Sequence, residues 1–531
     1  MSKIRRVLVS VSDKSGLVPF VRGLMRWKPE VVSTGGTAAL LRQQGVPVRE
    51  IARFTGFPEI LFGRVKTLHP KVHGAILADR RSREHLKQVK HLKLELIDLV
   101  VVNLYPFESA AGKRGGTLEE LIEQIDVGGV ALLRSAAKNF RSVGVVCRPS
   151  QYVEVLQELK ERGGTLSEPT RLRLASEAFA QTAYYDALIH QVLAHREKNH
   201  GPGYRNGTRD HGFPDHLVVA AAKRQVLRYG ENPHQSGVWY EWPQMGGNRF
   251  GLGAARQLHG KELSFNNLLD LDAALEIVSA FERPCAAVVK HTNPCGVACA
   301  NRLAEAFRKA YAGDPLSVFG GIVGFNRVVE KVTAREILAG GFLECLVAPG
   351  YRPEALRMLK ARRNLRILQA PLRRGRAAQR CVELKQVGGG LLVQRPDEFR
   401  RGPARWRVVS RARPTEKQRR DLVFAWKVAR FVRSNAIVIA QDEQTVGIGM
   451  GLTSRVDSVH LAVRKAGARA RGAALASDGF FPKPDGPQAA VRAGVKAIAQ
   501  PGGSRQDPEV IRVADKTGAA MLMTGERHFR H

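Results

Sequence analysis

The sequence is poor in cysteine, in acidic residues and in long apolar runs, and each shortage excludes something. No stretch of 18 or more consecutive apolar residues occurs, so a membrane-spanning helix is not expected. Six cysteines in 531 residues, at 147, 285, 295, 299, 345 and 381, include no C-x-x-C pair. They are too sparse for a disulfide framework and read as free or buried thiols of a reducing compartment. The apolar part of the N-terminal segment is too short for a signal peptide, so a cytoplasmic location is expected. Acidic residues number 49 against 84 basic ones, a net charge of +35. Such a field attracts anions of every kind. Nine Lys/Arg and no Asp/Glu fall between Arg357 and Arg380. Aromatics do not interleave with these basics as a single-strand platform requires, and no helix-turn-helix or zinc-finger spacing accompanies them. A solvated, arginine-biased surface is therefore expected rather than a nucleic-acid partner.

What is present is ordinary globular composition, 44% hydrophobic and 25% charged, over a length that calls for at least two domains. The first third alternates apolar strands with helical patterns: "RRVLVSVS" then "GLVPFVRGLMRW", "EVVSTGG" then "TAALLRQQG", and later "IDLVVVNLYPF". That alternation argues a parallel sheet covered by helices, with ligands beyond the carboxyl ends of its strands. Helical patterning continues through "RLRLASEAFAQTAYYDALIHQVLAHR" and fails over residues 197 to 214, a polar linker rich in Gly, Pro and Asn. The expected domains are 1–200 and 205–531, with a further break near 370–380. The second part mixes strands and helices; "NAIVIAQDEQTVGIGMG" reads as two strands and a polar turn, with its glycines as a turn rather than a dinucleotide site. No internal repeat is visible at a fixed period.

Polar groups gather where the first strands end. Ser12, Asp13 and Lys14 follow one strand, and Ser33, Thr34, Gly35, Gly36 and Thr37 open a helix. Free N–H groups and hydroxyls at a helix N-terminus make a phosphate cradle, although Ser/Thr there also serve as plain caps. No Walker A loop occurs. "GRVKTLHPKVHG" adds Arg64, Lys66 and Thr67, and "VVNLYPF" delivers Asn103 and Tyr105. "EQIDVGGVALLRSAAKNF" places Asp126 before two glycines and Lys138 on the helix beyond. A lysine near other cations has a lowered pKa and can exchange protons near neutrality. In the second part, the apolar stretch from Cys285 leads into Lys290 and His291, followed by Asn-Pro-Cys-Gly, which reads as a turn. A neighbouring cation keeps an imidazole neutral and able to accept a proton, and the ammonium can neutralise developing negative charge. An isolated pair of this kind reads rather as a surface lysine beside a hydrogen-bonded core histidine. A deaminase-type zinc site fits poorly: His195-Arg196-Glu197 lies at the linker, and "PCGVAC" has one residue too many between its cysteines.

The pair is not isolated. "SVSDKSGL", "GRVKTLHPKVHGAIL", "IDVGGVALLRSAAKN", "LRYGENPHQ", "KHTNPCG" and the terminal "RHFRH", in this order over essentially the whole chain, resemble the bifunctional PurH family of purine biosynthesis. That family joins phosphoribosylaminoimidazolecarboxamide (AICAR) formyltransferase to IMP cyclohydrolase. The resemblance implies an α/β protein: an N-terminal methylglyoxal synthase-like parallel-sheet domain and a C-terminal transformylase of two cytidine deaminase-like subdomains without the deaminase zinc. It implies 10-formyltetrahydrofolate as co-substrate, AICAR and formyl-AICAR as substrates, a homodimer with transformylase sites at the subunit interface, and, in some members, a potassium ion.

Carried over by residue, the resemblance places the cyclohydrolase nucleotide on Ser12, Asp13, Lys14, the Ser33–Thr37 turn and Arg64 to Thr67. Asn103, Tyr105 and Asp126 would line the ring, with Lys66 and Lys138 among the catalytic groups and Lys138 handling protons during dehydrative closure. In the transformylase, His291 would be the general base and Lys290 would stabilise the departing formyl donor. Arg228, Tyr229, Gly320, Glu344, Asn435, Arg455, Phe480 and Arg527 match positions that hold AICAR; Asp485, Ser504 and Arg505 match the folate side. Three positions depart from the family pattern: Leu452 stands where Gln is usual, Lys483 where Phe is usual and Arg433 where Lys is usual. The first two bear on nucleotide or folate affinity, and a chain with ring closure but a weakened transformylase is the competing expectation. A basic nucleic-acid binder is the competitor from another class.

Overall fold

The computed structural model describes residues 3–112, 117–200, 213–242, 250–372, 382–400 and 402–531, with the side chains of 195–200 left aside. The chain forms two compact units, Met1–Ala222 with Trp242–Gly247, and Lys223–Glu241 with Asn248–His531. Most of the linker expected over 197–214, the His195–Glu197 side chains and most of the break expected near 370–380 lie outside the described residues.

In the first unit, β1 (Arg6–Val11), β2 (Glu30–Ser33), β3 (Arg49–Glu50), β4 (Leu99–Asn103) and β5 (Gly144–Val146) form one sheet in the order β3-β2-β1-β4-β5, parallel throughout. Burial on both faces accounts for the unbroken apolar runs: Val7, Leu8 and Val9 of β1 and Leu99 to Val102 of β4 are buried. The chain winds outward from β1 on one side and returns to β4 on the other. The switch between β1 and β4 opens a crevice at their carboxyl ends.

The second unit is built on a twelve-stranded mixed sheet that contains one topology twice. In the first half, Cys285–Lys290 pairs antiparallel with Asn293–Cys299 on one side and with Gly321–Phe325 on the other. Leu343–Ala348 and Arg366–Gln369 continue in parallel, and Arg256–His259 closes the edge antiparallel. In the second half, Ile437–Gln441, Gln444–Gly449, Ala474–Ser477, Ala497–Gln500, Ala520–Met523 and Arg407–Val408 repeat these relations in the same sequence. The halves join antiparallel at Ala298 and Gln444. Each hairpin is preceded by a helix with a capping box: Phe265–Ser279 behind Ser264 and Asn267, and Glu416–Ala429 behind Thr415 and Gln418.

Of the "GIGMG" glycines, two are strand rather than turn, while Gly451 follows the strand with φ 67°. Gly447 and Gly449 lie in Gln444–Gly449, where an added Cβ would run into the carbonyl oxygens of Ala462 and Ser458 on the helix Arg455–Ala466. They serve close helix–strand approach. The five described cysteines are free and buried. Among the described residues, no helix is long and apolar enough to cross a membrane.

Two candidate active sites

The first site occupies the crevice between β1 and β4. Asn103, at the end of β4, accepts from the backbone N–H groups of Ser12 (2.6 Å) and Asp13 (2.9 Å) and donates to the Asp13 carbonyl (2.8 Å). Its amide thereby fixes the loop that leaves β1. Beside it the helix Gly35–Gln43 begins at Thr34 without a side-chain cap. Lys14 Nζ lies 3.6 Å from where a Cβ on Gly36 would be, so an ammonium stands over a bare helix N-terminus. A cation with uncapped N–H groups is an anion seat. The hydroxyls expected there are committed elsewhere: Ser33 donates to Val9 (2.7 Å), Thr37 donates to Val11 (3.0 Å), and Thr34 meets Ser10 (2.9 Å). The turn therefore presents its backbone, not its side chains.

Asp126 caps the helix Val127–Lys138 by accepting from Gly129 (2.6 Å). Burial pushes its carboxyl above the ordinary carboxylate range, against the opposing pull of the Gly129 N–H, the nearby Lys66 and the Tyr105 backbone. Thr67 is buried with its hydroxyl against Gly128. Tyr105 is 38% exposed and offers an aromatic face beside these groups. Arg64 is ion-paired with Glu123 in an exposed position. His69, in the same basic string, is spent as an N-cap for Lys71. Lys138 is exposed at the far end of the helix that Asp126 begins, so twelve residues of helical rise put its Cα about 18 Å from that of Asp126.

The second site lies along one edge of the twelve-stranded sheet. The turn is His291–Thr292, not Asn-Pro-Cys-Gly, which forms the start of the strand Asn293–Cys299. The reason is local: His291 (φ 53°) and Thr292 (φ 61°) both adopt the left-handed region of a two-residue hairpin turn, and Pro294 is tolerated in the strand because the register slips between Pro294 and Gly296. Lys290 Nζ donates to the Phe319 carbonyl (3.1 Å), next to Gly320 at the head of its strand. Glu344 sits one strand further, accepting from Asn267 (3.2 Å) and facing Arg366 (3.5 Å). Arg228 packs 5.5 Å over the Tyr229 ring, and their loop is tied to the Phe265–Ser279 helix through Asn266 and the Glu231 carbonyl (3.0 Å).

The second half supplies the rest. Asn293 Oδ1 accepts from Arg433 (3.0 Å), which joins the Lys-His hairpin to the 433–435 loop. Asn435 accepts from Arg455 (2.7 Å), and the buried Arg455 guanidinium also donates to Ser477 (2.8 Å) and Asp478. Strands Ala474–Ser477, Ala497–Gln500 and Ala520–Met523 all end on this edge, and their loops carry Phe480 with Asp485, Ser504 with Arg505, and Arg527. Arg527 stacks on Phe529 (4.7 Å). Sequence reading missed Asp270, Asn293 and Asp478, which hold these groups. Only Asp270 leaves a signal in the sequence, a carboxylate six residues beyond a helix cap that recurs at Asp421 beyond Thr415.

A family model described as AICARFT/IMPCHase bienzyme matches residues 136–465, and an MGS-like domain model matches residues 16–131. The chain belongs to the AICARFT/IMPCHase bienzyme family. It is 47% identical to the bifunctional purine biosynthesis protein PurH of Thermoanaerobacter sp., over 99% of this chain and 100% of that protein. Against PurH of Magnetococcus marinus the identity is 48%, with all of both chains covered. Against PurH of Bacillus cereus it is 46%, over 99% of this chain and 100% of that one. As a member of this bienzyme family it is an AICAR formyltransferase and an IMP cyclohydrolase, acting in the last two steps of purine biosynthesis. The MGS-like match falls in the parallel-sheet unit, and the bienzyme match runs through the first half of the twelve-stranded sheet and into the second.

Proposed function

We propose that the Lys290–His291 edge transfers the formyl group of 10-formyltetrahydrofolate to AICAR and that the Asp126 crevice closes formyl-AICAR to IMP. The single observation behind the first assignment is the hairpin turn that sets an imidazole and an ammonium at one sheet edge with Asn435 and Arg455. The AICAR amine is a poor nucleophile because its lone pair is delocalised into the ring. His291 removes its proton as it attacks, and Lys290 neutralises charge on the departing folate nitrogen. Arg228, Tyr229, Gly320, Glu344, Asn435, Arg455, Phe480 and Arg527 hold AICAR, with Asp485, Ser504 and Arg505 toward the folate. Exposed Leu316, Phe319, Phe342, Phe480 and Phe529 on the same edge suit a flat pterin ring or the face of a second copy, which supports a homodimer.

In the crevice, Lys14 and the Gly35–Thr37 helix start seat the phosphate, Ser12, Asp13 and Asn103 shape the loop around it, and Arg64 and Thr67 flank it. Asp126, Lys66 and Tyr105 handle protons as the carboxamide nitrogen attacks the formyl carbon and water leaves. The reaction is intramolecular, so holding the two ends together supplies much of the rate. For potassium, the carboxylate of Asp478 is already taken by Arg455 and Ser434. No step is routed through such an ion.

Against a weakened transformylase stands the part Leu452 plays: its carbonyl oxygen accepts from the Asn435 amide (2.9 Å), a role that any residue fills. The test is turnover of AICAR with 10-formyltetrahydrofolate, following tetrahydrofolate and IMP separately. His291→Ala is expected to slow folate turnover by about 10²–10⁴-fold. Lys66→Ala is expected to accumulate formyl-AICAR. Undiminished folate turnover in His291→Ala refutes the base assignment. Formyl-AICAR accumulation in Lys138→Ala would mean that the site draws on Lys138 from a second copy.

A further inference from the structure

We infer that Asp270 is a positioning residue of the transformylase: its carboxylate grips the His291–Thr292 turn in the one conformation that presents the imidazole to substrate. This rests on the assignment of His291 as base. Asp270 lies in the Phe265–Ser279 helix, away from the turn in sequence, and reaches it with both oxygens. Oδ1 accepts from the Thr292 N–H (2.6 Å) and Oδ2 from the His291 N–H (3.2 Å). Both turn residues lie in the left-handed region, which any side chain with a Cβ disfavours. The Thr292 hydroxyl donates to the His291 carbonyl within the turn (2.7 Å), whereas both turn N–H groups are held from outside, by Asp270. Asn293 adds a second hold, donating to the His291 carbonyl (3.0 Å).

The duplicated half provides an internal control. Asp421 stands six residues after its cap Thr415, as Asp270 stands six after Ser264. Asp421 accepts from Glu443 (2.8 Å) in a hairpin turn, Asp442–Glu443, whose φ values of 55° and 51° match those of His291 and Thr292. The same carboxylate device thus holds the same turn twice. Only one of the two turns bears a lysine and a histidine, and only there does the grip reach a reacting group.

Asp270 is faced by His291 and Cys295 on the hairpin and by Glu344 and Cys345 on the neighbouring strand, with Lys290 acting on Cys295 and with Asn267 and Arg366 bonded to Glu344. Burial pushes its carboxyl upward, and the two backbone N–H groups oppose that rise. On acidification a protonated oxygen stops accepting and one side of the turn is released, so folate turnover acquires an acid limb that depends on Asp270.

The experiment uses the full chain with AICAR and 10-formyltetrahydrofolate, reading kcat, KM for AICAR and the pH profile, with thermal unfolding alongside. Asp270→Asn places an NH₂ against one of the two N–H groups. Its kcat is expected to fall about 10–100-fold, since a misplacement of about an ångström costs that order, while KM for AICAR changes less than about threefold. Asp421→Asn is expected to leave kcat and its pH profile as in the wild type. A glycine at the second turn position adopts the left-handed conformation unaided, so Thr292→Gly is expected to restore part of the kcat lost in Asp270→Asn. Full kcat in Asp270→Asn, an equal loss in Asp421→Asn, or absence of rescue by Thr292→Gly would each overturn the positioning role. If Asp270→Asn does not fold, the pH profile of the Asp270→Asn/Thr292→Gly double variant still decides: an acid limb unchanged from wild type belongs to His291 and overturns the part given to Asp270. His291→Ala separates the two levels: turnover there at the wild-type rate sinks the base assignment itself, whereas a dead His291→Ala beside a fully active Asp270→Asn sinks this inference alone.

Discussion

At the residue scale, much of both sites could be read from the sequence because polar groups stood where apolar runs stopped. Lys14, Asn103, Asp126, Lys290 and His291 all follow that rule. What could not be read is which atoms of a residue are free. Ser33 and Thr37 looked like phosphate ligands, yet their hydroxyls close bonds to β1, and the seat is made by backbone N–H groups. Lys138 stands a helix length from Asp126, a separation that adjacency in the sequence does not convey. Glycines carry the same lesson. Gly449→Ala is expected to destabilise the second unit by about 1–3 kcal/mol or more, because the new Cβ meets the Ser458 backbone rather than a side chain that can move aside. Gly402→Ala, with open space around it and an ordinary φ, is expected to stay within about 0.5 kcal/mol of wild type. Denaturant unfolding of the two variants checks the contrast; equal stabilities would mean that the helix and strand separate freely.

At the element scale, the duplication explains how one sheet edge gathers the groups proposed for formyl transfer. Because the halves join antiparallel, the first hairpin turn lies on the edge where the second half's parallel strands end, and the second turn lies on the opposite edge. Each edge thus combines a turn from one half with loops from the other. The His291 edge kept Lys290 and His291; the opposite edge has Asp442 and Glu443, with Glu443 ion-paired to Arg283. No residue period betrayed this, because the halves share relations between strands rather than side chains. Asp421 on that opposite edge is buried, and its carboxyl is pushed up to about 6, chiefly by desolvation and further by Asp442. A folded-state value above the unfolded one, about 3.9, means that its contribution to stability is fully present below about pH 4 and is lost as pH rises through about 6. Asp421→Asn removes the titration. Whatever constant cost its NH₂ brings at the turn, the variant is therefore expected to gain on wild type between about pH 4 and 7 by up to roughly 3 kcal/mol, since a tenfold change in proton affinity is worth about 1.4 kcal/mol. Apparent Tm across that range reads it; a difference that stays constant with pH would show that Asp421 ionises in the fold as it does in solvent.

At the scale of the whole molecule, two chemistries with different needs are proposed for two kinds of sheet. Ring closure needs an anion seat and a few proton-transfer groups around one substrate, and the switch point of a five-stranded parallel sheet suits that. Formyl transfer needs two substrates and a base between them, and a mixed sheet that draws its turn and its loops from separate halves suits that. The strand-helix alternation of the first unit made its fold legible, since a parallel sheet imposes that rhythm on the sequence. The second unit was opaque, since its antiparallel centre and parallel flanks impose no single rhythm. The two sets of groups share no residue, and each unit has its own core. Their effects on rate are therefore expected to be independent. Asp126→Asn, which keeps the helix cap and removes the charge, should slow closure of supplied formyl-AICAR at least about 10-fold while tetrahydrofolate release continues at the wild-type rate. His291→Ala should do the reverse. The double variant should show the two losses unchanged, each in its own assay. A loss of folate turnover in Asp126→Asn would instead couple the two sites energetically, and formyl transfer would then have to be understood as responding to the state of the ring-closing crevice.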